Sequence, residues 1–121
     1  VPKKPTHLKG EAGREWKRIV PELVELGLIS RIDRAALAAY CTAYATYVET
    51  DRILQRAGLT FETPNGFIQQ RPEVSIRARA LDQMKGFLSL FGLSPADRSK
   101  VSGVGKPKKD DNPWDEFVKS A

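Results

Sequence analysis

His7 is the only histidine of the chain and Cys41 its only cysteine, so nucleophilic or metal chemistry has almost nothing to start from. His7 lies in a leader of prolines and lysines, whereas a Ser-His-Asp arrangement needs its histidine inside the folded core. Cys41 sits among alanines and tyrosines and reads as a small packing residue. A single thiol also forbids an internal disulfide and a cysteine-rich metal site. Gly103-Val104-Gly105-Lys106 has the outline of a phosphate-binding loop. It fails as one, because Pro107 stands where a Ser or Thr must hold the metal and no apolar strand leads into it. Asp110 and Asp111, in a lysine-rich stretch, read as solvated charge. No catalytic residue, metal ligand or cofactor site is expected.

Binding chemistry has more to work with. The formal net charge is +5 over 121 residues, which permits contact with nucleic acid or an acidic surface. Its distribution is uneven. Residues 1–18 carry six Lys/Arg against two acids, residues 67–100 six against three, and residues 19–66 four against six. The candidate phosphate contacts are therefore Lys3, Lys4, Lys9, Arg14, Lys17 and Arg18 in the first segment, and Arg71, Arg77, Arg79 and Lys85 in the second. Arg98 and Lys100 add to the second excess. Each of these read alone is a solvated helix face. Together the two excesses favour contact with a polyanion, weakened steeply by salt and nearly indifferent to sequence.

Two aromatic groups stand out. Tyr40, Tyr44 and Tyr47 recur at helical spacing, which favours packing in a core or against another subunit over base stacking. Trp114 and Phe117 lie three residues apart in a polar tail, beyond a Gly/Lys-rich stretch. On one helical turn they would anchor a short motif that docks on a partner protein.

The elements that position these residues are mostly helical. Hydrophobic residues make up 40% and charged residues 29%, which suits a folded globular chain rather than a disordered one. No apolar run approaches the ~20 residues that cross a bilayer, so no membrane partner is expected. Residues 1–10 read as a basic mobile arm. Trp16, Ile19, Val20, Leu23 and Leu26 then share one helical face. Pro21 falls inside this pattern, so the helix either kinks there or restarts with Pro21 in its first turn, and Gly27 stops it. A second helix is capped by Asp33 and runs from Arg34 to Ala57 before Gly58 ends it. At ~1.5 Å per residue it makes a rod of roughly 36 Å. Alanines 35, 36, 38, 39, 43 and 45 leave room for other helices to approach it closely.

Phe61, Thr63, Phe67 and Ile68 around Asn65-Gly66 predict a short β-hairpin, which needs a helix or a neighbouring subunit to buttress it. Pro72 and Glu73 open a third helix, reaching about residue 91. It bears one apolar stripe of Val74, Ala78, Leu81, Leu88 and Phe91 and another of Ile76, Ala80, Phe87 and Leu90. One core consumes one stripe, so the second is assigned to a neighbouring subunit. The candidate interface residues are Tyr40, Tyr44, Tyr47, Ile76, Phe87 and Leu90. Ser94 and Pro95 predict a short fourth helix. The fold class is thus mainly α, a helical bundle with one long central helix and a short β-hairpin. Residues 11–101 form the DNA-binding and oligomerisation domain, and residues 102–121 a flexible tail.

Two stretches, EWKRIVPELVELGLISRIDRAALAAYCTAYATY and TPNGFIQQRPEVSIRARALDQMKGFLSLFGLSPADRSKV, closely resemble the small terminase subunits of tailed bacteriophages. The resemblance rests on the Trp16 to Leu23 helix with Pro21-Glu22-Leu23, the IDRAALAAYC start of the long helix, the Asn65-Gly66 turn, Pro72, and the FGLSPADR junction. It covers roughly residues 14–101, and the WDEF end resembles the family's tail. It implies a non-enzymatic adaptor that forms a homo-oligomeric ring, with nine copies favoured. Such a ring recognises double-stranded viral DNA and regulates the large terminase subunit, which holds the ATPase and nuclease centres. Trp114 and Phe117 would dock on that subunit, and the site of action would be the host cytoplasm rather than the mature virion. Two other readings remain open: a dimeric helix-turn-helix regulator, and a helical protein–protein adaptor without DNA contact. The first would leave a footprint on one palindromic operator, and the second would bind no DNA even at low salt.

Overall fold

A computed structural model of the chain describes residues 1–93. Helix α1 spans Gly10–Glu25, a single 3-10 turn follows at Ile29–Arg31, and α2 spans Arg34–Ala57. Strands β1 (Thr60–Glu62) and β2 (Ile68–Gln70) precede α3 (Pro72–Leu90). The short fourth helix expected at Ser94, and the tail with Trp114 and Phe117, lie outside the described residues.

Helix α1 buries Trp16, Ile19, Val20 and Leu23, the face that its periodicity predicts. Of the two outcomes left open at Pro21, the restart does not occur, because the helix runs through it. A proline inside a helix costs about 3 kcal/mol, whereas burying a large apolar side chain contributes about 1.5–3 kcal/mol. Four such side chains outweigh one missing hydrogen bond. Pro21 and Lys17, whose carbonyl loses its partner, are both exposed, so water can meet that carbonyl.

The helix ends follow local rules. Asp33 Oδ1 accepts a hydrogen bond from the backbone N–H of Ala35 at 2.9 Å and so caps α2. Gly27 closes α1 with φ of 71°, its N–H donating to Val24 O while Leu28 N–H reaches back to Leu23 O. Gly92 closes α3 in the same way, through Ser89 O and Leu88 O. In both motifs the two leucines brought together (Leu23 with Leu28, Leu88 with Leu93) are buried, so each stop also adds to the core.

Helix α2 packs against both α1 and α3. Leu37, Ala38, Tyr40, Cys41 and Ala43 meet Trp16, Ile19 and Leu23 from one side and Met84, Leu88 and Phe91 from the other in a single core. On α3 the two expected stripes are redrawn. Ala80, Met84 and Leu88 form the buried line, at four-residue steps; Ala78 is exposed, and Val74 and Leu81 are only half-buried. Ile76 and Leu90 stay exposed, and Phe87 is half-buried at the margin.

The hairpin pairs Thr60 with Gln70, Phe61 with Gln69 and Glu62 with Ile68. Its loop is wider than an Asn-Gly turn. Thr63 N–H donates to Phe67 O, and Gly66 N–H closes an inner turn on Thr63 O. Pro64 and Asn65 occupy the turn, and Gly66 alone takes a positive φ, of 84°.

The leader is not the mobile arm its composition predicts. Pro5 and Leu8 are buried. Lys4 Nζ donates to Leu8 O at 2.9 Å, and Arg34 Nε donates to Lys3 O at 2.8 Å. The Leu8 carbonyl lies so close to α1 that a Cβ on Gly13 would stand 3.1 Å from its oxygen. Leu8 is the large apolar side chain that docks this basic segment, with Pro5 also buried. Leu8→Ala should therefore lower stability by about 2–5 kcal/mol in urea unfolding. A loss under about 1 kcal/mol would show that the leader lies outside the core.

Candidate nucleic-acid interface

The charged surface is organised around an acid that faces inward. Glu15 on α1 is 1% exposed. Arg18 Nε and Nη2 each donate to it at 2.6 Å, and Tyr40 Oη donates from α2, also at 2.6 Å. A buried carboxylate is tolerable only when its lone pairs are met by such donors. The hydrogen bond from Arg18 to Glu15 raises the arginine pKa further above its already high value. Burial, reinforced by the Glu15 charge, pushes the Tyr40 hydroxyl up and the Cys41 thiol up to about 12. Burial also raises Tyr44.

The basic residues of the first segment are then not equivalent. Lys4 is held on the Leu8 carbonyl and Arg18 on Glu15 and Glu22. Lys3, Lys9 and Lys17 are exposed. Arg14 is exposed and paired with Glu11, where a residue not singled out in the sequence joins it. Arg52 of α2 reaches the same Glu11 oxygen at 2.8 Å. Arg56, one turn further along α2, is also exposed. The middle of the chain is acidic on average, so these two cations carry no local signal. Only the packing of α2 on α1 brings Arg52 beside Arg14.

On the second segment, Arg77 donates to Asp51 at 2.8 Å and ties α3 to α2. Arg71 is half-buried with its guanidinium 5.8 Å from the centre of the Phe61 ring, bracing the base of the hairpin. Arg79 and Lys85 are exposed and make no ion pair among the described residues. Asp51 and Arg52 are adjacent on α2 and bond to α3 and α1 respectively. The two basic groups thus remain on separate flanks of α2.

Of the residues assigned to a neighbouring subunit, Tyr40 is corrected. It is wholly buried within its own subunit, with its ring edge-on to Phe91 at 5.9 Å and its hydroxyl on Glu15. Tyr44, Tyr47 and Phe87 are half-buried beside it, and Ile76 and Leu90 are open to water. The most open apolar side chains between the helices are on the hairpin, where Phe67 is 67% and Ile68 68% exposed. Alternation accounts for Ile68. Phe61 and Gln69 share the face that Arg71 covers, so Ile68 points the other way. Among the described residues no group of three or more His, Cys, Asp or Glu could hold a metal, and no helix is long and apolar enough to cross a membrane.

Fold and surface together define a mainly helical protein whose accessible chemistry is exposed cations and uncovered apolar side chains. The family model of the phage terminase small subunit matches residues 12–108. The chain belongs to that family. No curated protein and no solved structure gives a significant match.

The buried hydroxyl and thiol give a pH signature. Both ionise less readily in the fold than in the unfolded chain, so as pH rises the unfolded chain loses its protons first. The thiol's contribution is complete below its ordinary value of 9.0 and is lost as pH climbs through the folded value of about 12, while the loss from the Tyr40 hydroxyl begins above its ordinary value of 10.0. Each group should remove up to about 1.4 kcal/mol per pH unit in that window. The melting temperature should fall steadily above about pH 9, and a thiol reagent at about pH 8 should label Cys41 only in denaturant. Rapid labelling of the native protein would contradict the burial.

Proposed function

We propose that this terminase small subunit acts as a ring-forming, non-catalytic adaptor, with nine copies favoured. In this reading it recognises double-stranded viral DNA in the host cytoplasm and regulates the large subunit's ATPase and nuclease. The observation that carries the reading is the family match across residues 12–108. The surface agrees with it. Phe67, Ile68 and Leu59 on the hairpin, with Ile76 and Leu90 on α3, are exposed apolar side chains that a subunit interface would cover. Tyr44, Tyr47 and Phe87 would border that interface. The DNA contacts fall to the exposed cations Lys3, Lys9, Arg14 and Lys17 and to Arg79 and Lys85. Repeated around a ring, modest charge on each copy adds to a strong field.

The absolute mass in solution tests the ring. Light scattering after size exclusion should give one species roughly nine times the 13.5 kDa chain. Phe67→Asp with Ile68→Asp should break it into smaller species. A wild-type monomer or dimer that persists across concentration would overturn the ring and favour the dimeric regulator.

The tail supplies a separate test. Trp114 and Phe117 would anchor the large subunit, so replacing both by Ala should weaken binding to it at least tenfold, given that buried aromatic anchors contribute about 2 kcal/mol or more. Unchanged affinity would end the docking assignment.

A further inference from the structure

Glu11 Oε1 accepts from Arg14 Nη2 at 2.7 Å, on the same helix, and from Arg52 Nη2 at 2.8 Å, across on α2. Two guanidinium groups converging on one anionic oxygen reproduce the way arginines hold a phosphate. The arginines stay accessible while they do so. Arg14 is 67% and Arg52 60% exposed, whereas the carboxylate between them is 14% exposed. Hydrogen bonds from Arg14 and then Arg52 hold the Glu11 carboxyl below the usual carboxylate range, so it is charged at neutral pH.

The surface around this clamp continues as cations. Lys17 lies one turn along α1 from Arg14, and Arg56 one turn along α2 from Arg52. Both are exposed and neither makes an ion pair among the described residues. Glu49, one turn before Arg52, is the other acid on that flank of α2. A small anion would need only the clamp. A clamp flanked by further cations on both helices suits a polyanion whose charges repeat.

We infer that Glu11 occupies, in the free protein, the place between Arg14 and Arg52 that a backbone phosphate of double-stranded DNA takes on binding, and that it thereby restrains the affinity of this surface. The inference rests on the DNA-binding reading above and adds to it two contacts, Arg52 and Arg56, and an internal competitor.

Glu11→Gln and Arg52→Gln break the same bridge between α1 and α2, so a purely structural bridge predicts the same effect from both. The competitor predicts opposite effects, with E11Q tightening binding more than Glu49→Gln, which removes the same charge from that flank outside the clamp. With a random-sequence DNA duplex followed by fluorescence anisotropy, E11Q should tighten binding about three- to fivefold at low salt. It should also steepen the dependence of log K on log salt by about one, while R52Q weakens binding and flattens that dependence. Thermal melts of the two variants should match. If the wild type binds DNA and E11Q binds no more tightly, the role of Glu11 is overturned and the DNA-binding reading stands. If neither wild type nor E11Q binds the duplex at low salt, the DNA-binding reading falls and the inference falls with it.

Discussion

Glu15 reaches the interior of the molecule because two donors from two directions meet it there. Arg18 grips it along α1 with two nitrogens, and Tyr40 supplies a hydroxyl from α2. Stripping water from a carboxylate costs several kcal/mol, and removing one partner of such a buried group costs about 3–5 kcal/mol. The arrangement is therefore directional as well as stabilising. Apolar contacts between Trp16, Ile19, Leu37 and Cys41 would tolerate a small slide of one helix on the other. A carboxylate that must meet a hydroxyl at 2.6 Å does not. Once Glu15 and Tyr40 are in register, Glu11, one turn earlier on α1, comes within reach of Arg52 on α2.

The same tyrosine connects the two halves of the core. Its hydroxyl belongs to the contact between α1 and α2, while its ring sits edge-on to Phe91 at the end of α3. Phe87 stacks on Phe91, and Tyr44 and Tyr47 continue the cluster outward to half-buried positions. The polarity of α2 changes along this line, from a wholly buried tyrosine at its inner part to charged pairs toward its end. There Asp51 takes Arg77 and Arg52 takes Glu11. Helix α2 holds both neighbours by aromatic packing at one level and by ion pairs at another. Exposed pairs contribute only about 0–1 kcal/mol each, so the aromatic level carries the stability and the ion pairs chiefly select the geometry.

Much of this was legible from local chemistry. Asp33 and Gly58 bracket α2, Gly27 stops α1, and the alternation around Asn65-Gly66 marks the hairpin. Each feature is decided by residues within a few positions of one another. The misreadings have the opposite character. Pro21 leaves a kink and a restart both open until the burial of Trp16, Ile19, Val20 and Leu23 is weighed against it. The leader looks mobile because lysines and prolines dominate its composition, yet Leu8 is buried as part of the core. Arg18 looks like one more candidate phosphate contact, and Tyr40 like part of an interface stripe. Only the docking of α2 shows that Arg18 is committed to a buried acid and that Tyr40 belongs to the interior. Arg52 could not be selected at all, since its partner lies 41 residues earlier.

Net charge is consequently a poor guide to what this surface can hold. The excess of +5 is a sum over residues with very different obligations. Arg18 is committed to Glu15, Lys4 to the Leu8 carbonyl, and Arg77 to the junction of α2 with α3. These contribute to the field at long range but cannot turn to a ligand without loosening the fold. Arg14 and Arg52 are committed only to the Glu11 carboxylate they share, in a site open to water, and Lys17 and Arg56 extend it on either helix. A polyanion arriving at this protein would meet a field set by all the charges and a contact surface set by these few. Long-range attraction follows from composition, but the contact is decided by which cations the core has left available.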